Sequence, residues 1–427
     1  MNNKTPLPEV DPESAGFSKE RLARLKPAMR KYIDLQLLPH IVTLVAREGK
    51  IVHFAAQGYQ DCESKIPATR DTIFRLYSNS KAITGAAAMI LYEEGRLTLD
   101  DPVSRYIPAF KDPLVAAAYG ETGRGWPPVM FPTVPAQREI TLRDCLRNTT
   151  GLATPERSPY WYAVRYKDII PETGWDLTAN LDNPPTQSYR HRVENHARLP
   201  LNFQPGTDFV YHVGYPVIGA VIEIITGQTL EEFYRERIFQ PLGMKDTSFY
   251  LAEHNRDRFA DCYRPKQKNG RWGIAPYDKA AASEKARGPA VNFGAGGDMG
   301  GVLSTAGDYA RFCQMLLNGG ELDGVRILGR KSVEIMTASH TGDIFLPMRG
   351  RGFGFGMGVG VYVGGAPRPV MRSVGTYGWD GAAGTLFFAD PKEKLLGICF
   401  TQVIGALAMP GNDYQEEFER LVYQALV

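Results

Sequence analysis

Phe74-Arg75-Leu76-Tyr77-Ser78-Asn79-Ser80-Lys81, followed by an alanine-rich run that closes near Gly95, is the stretch on which the fold turns. Its first four residues read as a short extended segment and the run after them as a helix, so Ser78 opens that helix. Residues three apart share a helical face, which sets Lys81 one turn above Ser78. Burial there would lower the lysine pKa until it accepts a proton, and a serine hydroxyl needs such a neighbour to become a nucleophile. A helix start also leaves backbone N–H groups uncommitted, and that of the nucleophile itself can donate to a developing oxyanion. A bare Ser-x-x-Lys has a plainer reading, a capping serine with a solvated lysine, so the rest of the chain has to decide.

Upstream, Ser18 reads as a helix N-cap, with Leu22, Leu25, Met29, Tyr32 and Ile33 along one face. His40 to Ala46 and Ile51 to Phe54 then read as two strands joined by the turn Arg47-Glu48-Gly49-Lys50. Far downstream, Thr385 to Phe388 and Leu395 to Thr401 flank another turn, and a last helix carries Tyr414, Phe418, Leu421, Val422 and Ala425 on one face. Helices at both ends with strands just inside them predict an α+β fold, with one antiparallel sheet built from both termini and covered by those helices. The expected division is a sheet domain from residues 1–107 and 290–427 and a mainly helical domain at 108–289 with long loops. Helix starts are expected at Thr141 and at Thr229, where Glu232 completes a capping box. Gly352, Gly354, Gly356, Gly358 and Gly360 alternate with Phe353, Phe355, Met357, Val359 and Val361. That period of two predicts a strand with one bare face, for close packing rather than phosphate binding.

Hydrophobic residues are 43% of the 427 and charged residues 22%, as in ordinary globular proteins. The 49 basic and 47 acidic residues are interspersed without a Lys/Arg block, so no nucleic-acid or membrane partner is expected. No secretory pattern opens the chain and no window has the apolar length of a membrane span, which predicts a cytoplasmic protein. The five cysteines, Cys62, Cys145, Cys262, Cys313 and Cys399, stand singly and suggest neither a disulfide framework nor a zinc site. His40, His53, His191, His196, His212, His254 and His340 lack the context of a Ser-His-Asp triad or a His-Glu-x-x-His metal site. The absence of a Gly-x-Ser-x-Gly elbow argues against an α/β-hydrolase.

Tyr77 to Phe110, with Leu97-Thr98-Leu99-Asp100-Asp101-Pro102-Val103 after the helix, resembles the serine β-lactamase-related superfamily. Ile140 to Leu152, Phe203 to Tyr211, Pro241-Leu242-Gly243-Met244, and Gly296-Gly297 through Ser304-Thr305 to Phe312 match in the same order, although Asn148 stands where the family often has histidine. The resemblance implies a β-lactamase/transpeptidase-like fold. It also implies that Tyr211 lies beside Ser78 and Lys81, sharing general-base work and protonating the leaving group. The family's Tyr-x-Asn asparagine is missing from Tyr211-His212-Val213. Its Lys-Thr-Gly is replaced by Trp379-Asp380-Gly381, which leaves no cation there to hold a substrate carboxylate. By the same resemblance the N–H groups of Ser78 and Ala382 form an oxyanion hole, with Trp379 and Gly381 at the substrate; His212, next to Tyr211, is a further candidate to line it, and Asp380, inside the third motif, is either exposed or tunes the pocket charge. Taken together the motifs are most similar to family VIII carboxylesterases. They imply hydrolysis of a small or medium acyl ester through a Ser78 acyl-enzyme, with no metal or organic cofactor. A β-lactamase, a D-amino-acid peptidase or an acyltransferase of the same superfamily is the alternative, and a non-catalytic binding protein a more distant one. The loops around Trp126 to Pro135 and Tyr160 to Leu181 bear aromatic residues and are expected to shape an apolar acyl pocket.

Overall fold

The structure, a computed structural model, describes residues 6–116, 133–152, 189–283, 301–367 and 369–427. Its centre is an eight-stranded antiparallel sheet. The strands are β1 (His40–Arg47), β2 (Lys50–Asp61), β3 (Ile66–Pro67), β4 (Phe353–Phe355), β5 (Gly360–Tyr362), β6 (Tyr377–Asp380), β7 (Leu386–Asp390) and β8 (Leu395–Phe400). They lie in the order β4-β5-β6-β7-β8-β1-β2-β3. The two ends of the chain therefore meet in mid-sheet, where Val42 faces Phe400 and Arg47 faces Leu395. Alternation along β1 and β8 feeds two cores. Val42, Leu44, Leu396 and Ile398 enter one, and Ile41, Val45, Leu395 and Cys399 the other, so the sheet is buried on both faces. The β1–β2 turn places both Glu48 and Gly49 at positive φ, the geometry that suits the twist of a two-residue hairpin.

The terminal helices cover one face. Ser18 caps α1 (Lys19–Leu22) through its hydroxyl, as expected, but the helix breaks at Ala23–Arg24 before resuming as α2 (Leu25–Asp34). Leu22, Leu25, Met29 and Tyr32 are nonetheless all buried, because the break keeps their stripe on the sheet. The opposite face carries α5 (Ala306–Leu317), while α3 (Ser80–Glu93) and α4 (Gly214–Thr226) pack against each other, and buried residues of all three share one core with β1 and β8. The closing helix, α6 (Tyr414–Gln424), joins α1 and α2 and buries Tyr414, Phe418, Leu421 and Val422. Thr141 and Thr229 both form capping boxes, with Asp144 and Glu232 respectively.

The glycine-rich stretch is not one strand. It folds into the β4–β5 hairpin, with Gly356 to Val359 as its turn. Its bare face serves packing as expected, and the turn explains why. A Cβ on Gly358, whose φ is +103°, would lie 2.4 Å from the Lys81 carbonyl oxygen, and one on Gly85 of α3 would lie 2.0 Å from that of Met357. Missing side chains thus let the hairpin turn press on the first turns of α3. All five cysteines are unbonded to one another. Among the described residues no helix is long and apolar enough to cross a membrane.

Candidate active site

Ser78 lies in a 3-10 turn, Tyr77–Asn79, that runs directly into α3. It stands one step outside the α-helix that it was expected to open. The preceding strand segment Phe74–Arg75 pairs with Leu303–Ser304, and Tyr77 then takes a φ of 47°, uncommon for an aromatic residue. This sharp entry leaves Ser78 partly exposed while Asn79, Ser80 and Lys81 are buried. The Lys81 ammonium group donates to Ser78 Oγ at 3.2 Å. Its Nζ lies 4.4 Å from the ring centre of Tyr211 and 5.5 Å from that of Tyr215, so aromatic faces wall the lysine.

Tyr211 comes from the segment before α4, and the backbone on both sides of it is held by Asn148. The Val210 N–H donates to the Asn148 carbonyl at 2.9 Å, and the His212 N–H donates to Asn148 Oδ1 at 3.0 Å. Asn148 itself has a φ of 62°, which asparagine tolerates better than most residues. His212 is bent to a φ of 112° and sets its ring edge-on to Tyr211, with centroids 5.9 Å apart. A Cβ on Gly214 would fall 2.3 Å from the Cys145 carbonyl oxygen, so a bare residue lets α4 start hard against that turn. Sequence alone marked Asn148 only as a departure from the family pattern, and a left-handed asparagine in a turn was the signal available.

Trp379 is buried on β6, and its indole Nε1–H donates to the Tyr211 hydroxyl at 2.6 Å. Indole nitrogen is a donor only, so the tyrosine oxygen accepts here. Burial pushes the Tyr211 phenol well above its ordinary range, while its hydrogen bonds with Ser78 and Trp379 pull it back. Phe355 packs edge-on to the indole at 4.9 Å, and a Cβ on Gly360 would meet the same ring at 2.7 Å. Gly381 brings the end of β6 against the nucleophile turn, since a Cβ there would lie 2.4 Å from the Leu76 carbonyl oxygen. Ala382, next along, is exposed. Neither its N–H nor that of Ser78 donates to an acceptor among the described residues.

Asp380, whose role the sequence left open, forms an ion pair with Arg349. Sequence reasoning missed Arg349 altogether. Its guanidinium stacks 4.4 Å from the Trp379 ring centre, and nothing in the chain order between 349 and 379 points to that contact. The cation is committed to Asp380, so the pair adds little net charge to the pocket wall. Of the other histidines, His40 and His53 are buried in β1 and β2, where burial lowers each pKa to about 4. His340 Nε2–H donates to the Ile335 carbonyl at 2.7 Å, and burial lowers its pKa as well. Among the described residues no cluster of His, Cys, Asp or Glu is arranged to hold a metal ion. The expected pocket loops lie outside the described residues except for Thr133–Pro135, as does the Gly296-Gly297 match, while His191 sits on the helix Tyr189–His196.

An antiparallel sheet sandwiched by helices, with serine, lysine and tyrosine converging at the start of a buried helix, defines a serine hydrolase of the β-lactamase fold. The chain belongs to the beta-lactamase family, whose model matches residues 27–418. An uncharacterized protein of Mycobacterium tuberculosis is 33% identical over 425 residues, covering 93% of this chain and 98% of that protein. Esterase EstB of Burkholderia gladioli is 30% identical over 259 residues, 60% of this chain and 59% of that one. Among solved structures, EstCE1, a hydrolase with promiscuous acyltransferase activity, superposes with a TM-score of 0.74 at 25% identity, covering 95% of this chain and 99% of its own.

Proposed function

We propose that the protein is a carboxylesterase acting on small or medium acyl esters through an acyl-enzyme on Ser78. The observation that carries this reading is the Trp379–Tyr211 hydrogen bond. A neutral donor stands where lactam-recognising relatives of the superfamily place a lysine, and the nearby Arg349 is neutralised by Asp380. With Trp379 in place of that lysine and Arg349 paired, the β6 wall among the described residues offers no free cation, which favours an uncharged ester over a substrate anchored by its carboxylate. Likeness to EstB and to the hydrolase EstCE1 supports the same choice.

Lys81, buried and with its Nζ 3.2 Å from Ser78 Oγ, is placed to take the Ser78 proton, with Tyr211 sharing it. As that proton leaves, Ser78 Oγ bonds to the carbonyl carbon and the carbonyl electrons move onto oxygen, facing the N–H groups of Ser78 and Ala382. Collapse breaks the bond to the alcohol, which departs with a proton from Tyr211. Water then repeats the sequence on the acyl-enzyme, freeing the acid and restoring Ser78. An alcohol in place of water would make the step an acyl transfer, the side activity named for EstCE1.

The test is hydrolysis of a p-nitrophenyl ester series beside nitrocefin, in the wild type and in Ser78→Ala and Lys81→Ala. Ester turnover that disappears in both variants, with little nitrocefin cleavage, is expected. Nitrocefin as the better substrate would assign the protein to the lactam-cleaving members instead.

A further inference from the structure

A second surface lies apart from Ser78, on a hairpin formed by Cys262–Lys268 and Arg271–Asp278. Asn269 and Gly270 join the strands, both at positive φ, which makes the tip a tight and rigid turn. Strand alternation puts Arg264, Lys266 and Lys268 on one face, and Arg271 pairs directly across from Lys268 on that same face. Gly273 and Ala275 stand opposite Lys266 and Arg264, so small residues leave the long cationic stems uncovered. All four cations are exposed, and among the described residues none has an ion pair or hydrogen bond, although most arginines described elsewhere in the chain are paired with a carboxylate or a carbonyl. Trp272, exposed on the opposite face, adjoins the same tip. In chain order these cations are broken up by Pro265, Gln267, Asn269 and Gly270, so no basic block is visible; strand pairing assembles one.

We propose that this hairpin docks the protein on an anionic phospholipid bilayer. Unpaired cations complement a surface of negative headgroups, and an indole beside them at a rigid tip suits the headgroup boundary, where tryptophan is favoured. Pro265 and Pro276 lie within the strands and remove ladder donors, which disfavours addition of a partner's β-strand to either edge. The base of the hairpin is anchored firmly. Asp278 pairs with buried Arg75 at 2.6 Å, and Tyr263 exchanges backbone hydrogen bonds with Gln402 and Ile404. Arg75 is three residues before Ser78, so the base of the hairpin adjoins the segment that leads into the nucleophile turn. The docking stands independently of the esterase reading.

Co-sedimentation of the full chain with phosphatidylcholine vesicles, with and without phosphatidylglycerol, tests it. Binding is expected only to the anionic vesicles and is released by high salt. The double variant Lys268→Glu/Arg271→Glu should bind more than about twentyfold more weakly, at about fivefold for each cation removed. Arg264→Gln/Lys266→Gln, which neutralises two cations on the same face without adding negative charge, should weaken binding about twentyfold, less than the charge reversal, with hydrolysis of a soluble ester unchanged in both variants. Equal binding by wild type and variants, no binding to anionic vesicles, or equal binding to pure phosphatidylcholine would overturn the proposal. Retention on soluble polyphosphate without vesicle binding would overturn it too.

Discussion

Trp379→Phe removes the indole N–H and part of the ring's volume while keeping an aromatic ring against Phe355 and Arg349. What it deletes is the 2.6 Å donation from Nε1 to the Tyr211 hydroxyl. As Tyr211 gives its proton to the departing alcohol it gains negative character, so that donor is strongest in the transition state of this step. A hydrogen bond to a charged group contributes about 1.5–3 kcal/mol, against about 0.5–1.5 for a neutral pair. The first range corresponds to a fall in kcat/KM of about 10- to 150-fold, the second to about 2- to 12-fold. The phenol, already pushed up by burial, loses one of the contacts that pull it down, so any alkaline limb of the rate profile that it governs should move to higher pH. Steady-state hydrolysis of p-nitrophenyl butyrate across pH measures both effects. Trp379→His retains a ring N–H and should keep more of the rate than phenylalanine does. Full activity in Trp379→Phe, with an unshifted pH profile, would show that the indole is only a wall and that the reasoning about Tyr211 is wrong.

Gly358→Ala should cost at least about 2 kcal/mol of stability and most of the activity, because its Cβ meets the Lys81 carbonyl at 2.4 Å on a backbone of positive φ. Thermal unfolding and ester turnover read the two losses. Asn148→Ala withdraws the acceptor from the His212 N–H and places alanine at a φ of 62°, so a stability loss of about 2–3 kcal/mol and a lower kcat are expected. Unchanged kcat would separate Asn148 from the positioning of Tyr211. Asp308 is buried near Asp246, and burial raises its pKa to about 6. A carboxyl whose folded pKa lies above its unfolded one holds its proton more tightly in the native state, so its contribution to stability is greatest below about pH 4 and is lost as pH rises through 6. Against Asp308→Asn, the wild type should lose about 2–3 kcal/mol between pH 4 and 7. Parallel urea-unfolding curves over that range would refute the assignment.

The sheet was legible because its strands are buried on both faces and lie close to their turn signals: Glu48-Gly49 marks the first hairpin, and Ala389 to Lys394 the last. Ser78 and Lys81 were legible because helical spacing alone brings them together. Tyr211 and Trp379 were reached by resemblance, not by spacing, since they are separated by 168 positions along the chain and meet only where the segment before α4 lies against β6. What chain order hid is tertiary in origin. The glycine repeat carries the period of a strand, and only packing against α3 decides that it turns at Gly358. Arg349 approaches Trp379 across the sheet edge with no periodic signal, and the basic face of the 262–278 hairpin exists only once its strands pair.

The central claim is that Ser78 is the nucleophile, and a fluorophosphonate probe followed by peptide mass spectrometry tests it most directly. The account predicts stoichiometric labelling on the peptide containing Ser78, none in Ser78→Ala, and slowed labelling in Lys81→Ala and Tyr211→Phe. Labelling at another residue, or undiminished labelling in Ser78→Ala, would contradict it.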